Sequence, residues 1–392
     1  MTSAALPCLS SLSPLAPVSR RSMLAGIAAL ACDRSAWAQN AEAQIVLGQT
    51  TALSGPLGDL GQALYHGSQM AFAAVNARGG IHGRSIKLHT IDDGYEVDRA
   101  VANAQQLLAD PATFALFNCF GTPHVAAMLP LVQDGNVPFF APLTGAQISR
   151  VAQRNVFNIR ASYAEEAEKI VQHLATLGMR RIAIVYQANS FGKEVLDATQ
   201  RAMAVWKLRD EGATATVQND GRDAQVAATK LAQSEPEAVI IGLAGKPTLD
   251  FVKAFRSQRR GTPLYALSVM GAAATLQALG SDASGMAITQ VVPQPTNPAV
   301  PIVREFVQAW KNANMAQEPS HSALEGYIIA RTFCEALQRA GKNPSRAAFI
   351  DATWSLKKWD MGGFEINATE PGHNASRFVE LTLVGRDGRF MR

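Results

Sequence analysis

Cysteine is scarce in this chain, four in 392 residues, and no two stand as Cys-x-x-Cys, so a zinc knuckle or a thioredoxin-like redox motif has no basis. The seven histidines contain no His-Glu-x-x-His, which excludes the common zinc-hydrolase signature. No Gly-x-Ser-x-Gly elbow appears either. Charge is sparse and nearly balanced, Lys+Arg 36 against Asp+Glu 32, and the basic residues are scattered. The short run Arg256 to Arg260 suits a helix C-terminus, where the dipole favours cations, rather than a nucleic-acid surface. Neither a metal nor a cofactor nor nucleic acid is expected, and no catalytic constellation is apparent. Past the first forty residues no apolar run is long enough to cross a bilayer.

What the N-terminus does hold is an export signal. Ser19-Arg20-Arg21-Ser22 is a twin-arginine pattern ahead of a short apolar run from Met23 to Ala31, and Ala36-Trp37-Ala38 places small residues where a signal peptidase reads them. A leader of residues 1–38 and a periplasmic location follow as expectations. Lipid attachment at Cys32 is the weaker alternative. Without residues 1–38 the chain keeps 354 of its 392 residues, enough for two domains. The leader holds Arg20, Arg21, Arg34 and Asp33, so the net charge falls from +4 to +2. Cys119 and Cys334 remain, both in apolar surroundings, and read as buried thiols.

Strand, turn and helix then alternate. Ile45 to Gly48, Arg84 to Asp93, Phe114 to Asn118 and Val137 to Pro142 read as strands, with helices over Leu64 to Asn76 and Asp98 to Asp110 between the first three. From Arg160 the rhythm restarts: a helix Glu165 to Gly178, a strand Arg180 to Gln187, a helix from Phe191, a buried strand Glu237 to Gly245 and a strand Pro263 to Val269. The proline-rich Val291 to Pro301 reads as an extended connector. Helices Val303 to Asn312 and Ala323 to Ala340 and a strand Arg377 to Gly385 follow. Such alternation implies an α/β fold of two doubly wound, Rossmann-like units, with ligands at the C-terminal ends of the strands.

The turns at those ends are therefore the places to look. "LSGPLGDLGQ" (Leu53 to Gln62) carries glycines spaced G-x-x-G-x-x-G, which matches neither the dinucleotide fingerprint nor the phosphate loop. Either an anion seat or a bare tight turn fits it. Gly242 to Thr248 has Pro247 where a phosphate loop needs Ser or Thr, and reads as a plain strand-to-helix turn. His124, at a helix start, reads as a surface or capping residue. Asp92 and Asp93, adjacent on a strand, point to opposite faces and do not form a catalytic pair. The remaining turns offer small polar groups and backbone amides: Ser54-Gly55, Gly121-Thr122, Thr144-Gly145 and Gln187 to Phe191. One helix N-terminus contributes ~0.3–1 kcal/mol toward an anion, up to ~2 when partly buried, whereas micromolar affinity requires roughly 8 kcal/mol. Several turns must converge on any ligand.

At this point the block Ile45 to Asp110, with Ser-Gly-Pro, Asn-x-x-Gly-Gly-Ile-x-Gly and a strand ending Asp-Asp, resembles the leucine/isoleucine/valine-binding type of periplasmic solute-binding protein. Looser likeness continues through Arg180 to Val195 and Gly326 to Leu337. The resemblance implies a type I binding fold, two lobes joined by a three-segment hinge. Its expected division is residues 45–160 plus 294–370 for lobe 1 and 161–293 plus 371–392 for lobe 2. It implies a receptor that captures a small organic solute, an amino-acid-like compound, a carboxylate or an amide, and delivers it to the permease subunits of an ABC transporter, without enzymatic change. A sensing module for a signalling partner and an exported α/β enzyme are the rival readings. Carried over by position, the ligand residues are Ser54, Gly55 and Leu60; Phe120, Gly121 and Thr122; and Leu143, Thr144 and Gly145 in lobe 1. Tyr163 lies near the first crossover, and Phe191, Ala244, Ser268 and Met270 come from lobe 2. Ser54, Gly121, Thr122, Thr144 and Gly145 are expected at an acid group, and Phe191 and Met270 on the apolar body. The chain departs from amino-acid binders in having no carboxylate at Ser268 to Met270 and no tyrosine at Leu60 or Phe191, which favours a less polar acid or an amide. Tyr95 stands where some relatives carry a cysteine that pairs with the one at Cys119, so that disulfide is expected to be absent.

Overall fold

The computed structural model describes residues 44–208 and 212–391; the expected leader, with its Arg20-Arg21 pair and Cys32, lies outside the described residues. Along the first stretch β1 (Gln44–Thr51), α1 (Gly58–Asn76), β2 (Ser85–Asp92), α2 (Val97–Ala109), β3 (Thr113–Phe117), α3 (Thr122–Met128), β4 (Phe139–Phe140) and β5 (Val156–Phe157) alternate. The five strands form one sheet in the order β2-β1-β3-β4-β5, and the β1/β3, β3/β4 and β4/β5 pairs are parallel. A second alternation follows: α4 (Tyr163–Thr176), β6 (Ile182–Gln187), α5 (Ser190–Val205), β7 (Thr214–Val217), α6 (Ala224–Gln233), β8 (Ala238–Gly242), α7 (Lys246–Arg256), β9 (Leu264–Ala266), α8 (Ala273–Leu279) and β10 (Ala287–Gln290). Helices α9 (Pro301–Asn312), α10 (His321–Arg339) and α11 (Arg346–Trp354) return to the first sheet, β11 (Trp359–Asp360) and β12 (Glu365–Ile366) make a small ribbon, and β13 (Glu380–Leu383) ends in the second. That second sheet has the order β13-β10-β9-β8-β6-β7, with β13 antiparallel to β10.

The fold is thus two doubly wound lobes with three crossings between them: after β5, after β10 and after β12. The first and third crossings are bonded to each other, Ala375 N to Asn158 O and Ser376 N to Ile159 O, both 2.8 Å. Helix α4 starts the second lobe with a full capping box, Ser162 and Glu165 each bonding the other's backbone N–H. Such a cap contributes about 1 kcal/mol and fixes where the helix leaves the crossing.

Lobe 1 is held by an aromatic core. Phe333 of α10 lies 5.2 Å from Phe140, 5.8 Å from Phe117 and 4.7 Å from Phe349, centroid to centroid. Helix α10 reaches that core because it runs closely against α1: a Cβ on Gly67 would fall 1.8 Å from Ala323 O, and one on Gly326 would fall 2.1 Å from Leu64 O. Ser68 Oγ bonds Gly326 O at 3.0 Å across the same contact. The core of lobe 2 gathers Val239, Ile241, Phe251, Phe255 and Ile288, all essentially inaccessible.

Several element boundaries depart from the sequence reading. The first helix begins at Gly58 rather than at Leu64, after a single 3-10 turn over Gly55–Leu57. The expected strand Val137 to Pro142 shrinks to Phe139–Phe140, because Pro138 and Pro142 on either side have no N–H for a ladder. The closing strand spans Glu380–Leu383 only. Cys119 and Cys334 are free and buried, and burial pushes both thiols up to about 12.

Candidate functional site

The C-terminal turns of the two sheets face each other, and the first of them answers the question the glycines raise. Asp92, at the end of β2, accepts hydrogen bonds from Leu53 N (2.8 Å), Ser54 N (3.2 Å), Gly94 N (2.9 Å) and Ser54 Oγ (2.5 Å). Burial alone would raise this carboxyl, but the hydroxyl of Ser54 and the three N–H groups outweigh it and hold it at about 2. The turn does seat an anion, and the anion is the chain's own Asp92. The glycines serve close approach. Gly55 has φ +76°, and a Cβ there would lie 2.4 Å from Gly94 O; a Cβ on Gly61 would lie 1.8 Å from Ala52 O. Leu60 is buried behind them.

The turn after β8 closes on this one. Gly245, at φ +65°, lies so near the first turn that a Cβ would sit 2.8 Å from Pro56 O and 3.0 Å from Leu57 Cδ2. Beside it Ala244 N donates to Gln187 Oε1 at 3.1 Å, while Gln187 Nε2 donates to Asn219 Oδ1 at 3.0 Å.

Three further turns are tied together. Phe120 and Leu143 form a parallel bridge, and Gly121 N donates to Leu143 O at 3.1 Å. The hydroxyls of Thr122 and Thr144 bond each other at 2.7 Å, and Thr144 Oγ1 also accepts from Ala146 N at 3.0 Å. Gly145 O accepts from Tyr163 N at 2.8 Å, the seam between lobe 1 and α4. The Tyr163 ring stands edge-on to Phe191, 5.3 Å between centroids. Burial raises the Tyr163 hydroxyl, and the neighbouring Arg160 opposes that.

Behind this seam lies a buried charge cluster that spacing along the chain does not reveal. Arg160 Nη2 bonds Glu166 Oε1 (3.0 Å) and Ser268 Oγ (2.5 Å), and its Nε lies 3.5 Å from Glu325 Oε1 of α10. Glu166 in turn accepts from Ser268 N (2.8 Å) and Thr289 Oγ1 (2.6 Å). Arg150 Nη2 donates to Arg160 O, and Arg150 Nη1 donates to Thr144 O at 2.7 Å. Burial pulls Arg150 down to about 10, with Arg160 adding to it. Burial would lower Arg160 as well, but Glu325 and Glu166 more than reverse it and keep the guanidinium charged. Burial raises Glu325. The segment Ser268 to Met270 has no carboxylate of its own, as its sequence says, yet α4 delivers Glu166 to it.

Of the expected ligand residues, the structure brings Phe120, Gly121, Thr122, Leu143, Thr144, Gly145, Tyr163 and Phe191 into one contiguous group, with Ser268 reached through Arg160. Ser54 and Gly55 are bound up with Asp92 and Gly94, Ala244 with Gln187. Met270 packs into the lobe 2 core. His124 is a correction: it is buried, not a surface or capping residue, because Gly121 leaves room for its ring 4.5 Å from that of Tyr95. Burial takes His124 down to about 4, so it stays neutral. Among the described residues no group of three His, Cys, Asp or Glu side chains gathers as a metal site, and no helix is long and apolar enough to cross a membrane.

A sequence profile described as "Periplasmic binding protein" matches residues 44–389, and the chain belongs to that family, whose members are substrate-binding receptors rather than enzymes. It is 24% identical over 348 residues, 88% of this chain and 92% of the other, to the Leu/Ile/Val-binding protein homolog 3 of Brucella melitensis biotype 1. Among solved structures, a substrate-binding periplasmic protein from Ralstonia solanacearum superposes with TM-score 0.82 at 28% identity, covering 88% of this chain and 99% of that one. An extracellular ligand-binding receptor from Verminephrobacter eiseniae superposes at 0.80, also 28% identical, over 89% and 100%.

Proposed function

We propose that the protein is exported, that it holds a small organic solute in the cleft between its lobes, and that it hands this solute, chemically unaltered, to the permease subunits of an ABC importer. The twin-arginine leader and cleavage after Ala38 belong to this reading. The observation that carries it is the meeting of the two lobes: Gly245 packs on Pro56 and Leu57, while behind them Arg160 ties Glu166 of lobe 2 to Glu325 of lobe 1. The groups collected between are hydroxyls, amides and aromatic rings, which bind by hydrogen bonding and packing.

Thr122, Thr144, Gly121, Gly145 and Tyr163 are the contacts assigned to the polar end of the solute, and Phe191, Phe120 and Leu60 those assigned to its apolar body. Ser54 acts through the turn it builds with Asp92. A thermal-shift screen against amino acids, aromatic acids, dicarboxylates and amides tests the reading. A true solute at ~100 times its dissociation constant adds ~2.7 kcal/mol of stability. If no compound in any class shifts the transition, the solute-receptor reading fails. Branched-chain amino acids belong in the screen because the relatives' names carry them.

A further inference from the structure

The aromatic residues around the seam between the lobes are arranged differently from those of the core. Tyr95 has φ +64°, a left-handed conformation costly for a bulky side chain, and it is held there by Tyr95 N donating to Asp93 Oδ1 at 2.9 Å. The conformation lays its ring 4.5 Å from His124 and 5.4 Å from Phe120. On the facing side stand Tyr163 and Phe191. Among the described residues the ring contacts of these five side chains stay within the group and do not join the Phe117, Phe140, Phe333 and Phe349 core. The two groups of rings meet at neighbouring turns: a Cβ on Gly121 would lie 3.0 Å from Tyr95 Cε2 and one on Gly145 would lie 2.4 Å from Tyr163 Cδ1, and the two turns are joined by the Thr122–Thr144 hydroxyl bond.

A polar group adjoins the rings. The guanidinium carbon of Arg160 lies 5.6 Å from the centre of the Tyr163 ring, and its Nη1 is buried with no hydrogen-bond partner, although the residue is only 4% exposed. A buried guanidinium N–H without an acceptor is costly. Nη2 is committed to Glu166 and Ser268, and Nε, itself without a hydrogen bond, lies 3.5 Å from Glu325 Oε1, so Nη1 is the unbonded nitrogen without a carboxylate beside it and the one that an incoming oxygen would satisfy. Arg150 lies alongside, its Nη2 donating to Arg160 O at 3.3 Å.

We propose that the solute is a small aromatic carboxylate, its ring lying between the Tyr95–Phe120–His124 face and the Tyr163–Phe191 face and its carboxylate pairing with Arg160 Nη1. This rests on the solute-receptor reading and narrows it. Offset and edge-on ring pairs add affinity beyond burial of area, which is the advantage an aromatic body has over an aliphatic one here. The neutral imidazole of His124 packs against the solute ring without competing for the carboxylate. Arg160 fixes the orientation, because a charge-assisted hydrogen bond from Nη1 is stronger to a carboxylate oxygen than to a neutral amide oxygen.

Calorimetric titration of the purified protein with benzoate, 4-hydroxybenzoate, phenylacetate, benzamide, isovalerate and leucine tests the proposal. At least one aromatic carboxylate is expected to bind ten times or more tighter than isovalerate, leucine and benzamide. The Tyr95→Leu and Phe191→Leu variants, which keep apolar volume, are expected to weaken that acid at least tenfold while leaving thermal unfolding near that of the parent. Equal or tighter binding of leucine or isovalerate overturns the aromatic assignment and leaves the solute-receptor reading standing. Equal binding of benzamide overturns the carboxylate assignment to Arg160. Failure of all three aromatic acids overturns the proposal, and failure of the broad screen as well overturns the receptor reading with it.

Discussion

At the scale of single residues, the glycine spacing in Leu53 to Gln62 was legible as a close approach, but its cause was not. The groups approached, Gly94 O and Ala52 O, and the carboxylate that fills the turn, Asp92, are fixed by the pairing of β1 with its neighbours rather than by local spacing. The two kinds of glycine give separable outcomes. Gly61→Ala puts a methyl group 1.8 Å from Ala52 O inside a helix with ordinary backbone angles, so the cost is steric and is expected at about 3 kcal/mol or more. Gly79 has φ +93° but open space around its Cβ position, so Gly79→Ala should cost only about 1 kcal/mol of backbone strain. Urea unfolding of the two variants separates them, and equal losses would mean that the α1 packing is not tight. His124 shows the opposite failure of local reading: its position at a helix start suggested exposure, and the ring of Tyr95, 29 positions earlier in sequence, buries it.

At the scale of elements, the long periodic helices and the buried strands were readable, their alternation gave the two doubly wound units, and the resemblance added the three-segment hinge. Strand β7 and helix α6 were passed over because they are short and alanine-rich, with Ala215, Ala224, Ala227, Ala228 and Ala232 facing the core; small side chains give little contrast between faces. The charge cluster at the first crossing was invisible for a different reason. Glu166 and Ser268 are 102 positions apart, and Glu325 comes from the other lobe. Removing one partner from such a cluster strands a buried charge, so Glu166→Ala is expected to lose about 3–5 kcal/mol. A loss under 1 kcal/mol by denaturant titration would show that the crossing is wet and the pair unimportant.

At the scale of the whole molecule, acid sensitivity and closure are the consequences. Burial takes His124 down to about 4 and His321 to about 3, both below the ordinary histidine range. The unfolded chain therefore binds a proton at each that the folded chain refuses, and stability falls as pH drops below about 6.5, by about 1.4 kcal/mol per unit for each histidine. The loss levels off as pH passes the folded values. Glu325 and Asp93 are raised by burial and act with the opposite sign, so the comparison belongs between variants. His321→Gln should flatten the stability profile between pH 6.5 and 4 by one proton's slope, as read from urea midpoints; an unchanged slope would mean that His321 is not desolvated.

Closure around a guest is the claim on which the function depends, because a ligand shifts a hinge only by contacting both lobes. Cys119 and Cys334 are buried and should escape labelling, so spin labels at Asp59→Cys and Lys246→Cys report the gap where the turns after β1 and β8 meet. With the solute that gives the largest thermal shift, the distance distribution should collapse from a broad one to a single short distance matching the closed lobes. An identical distribution with and without saturating solute would contradict the account.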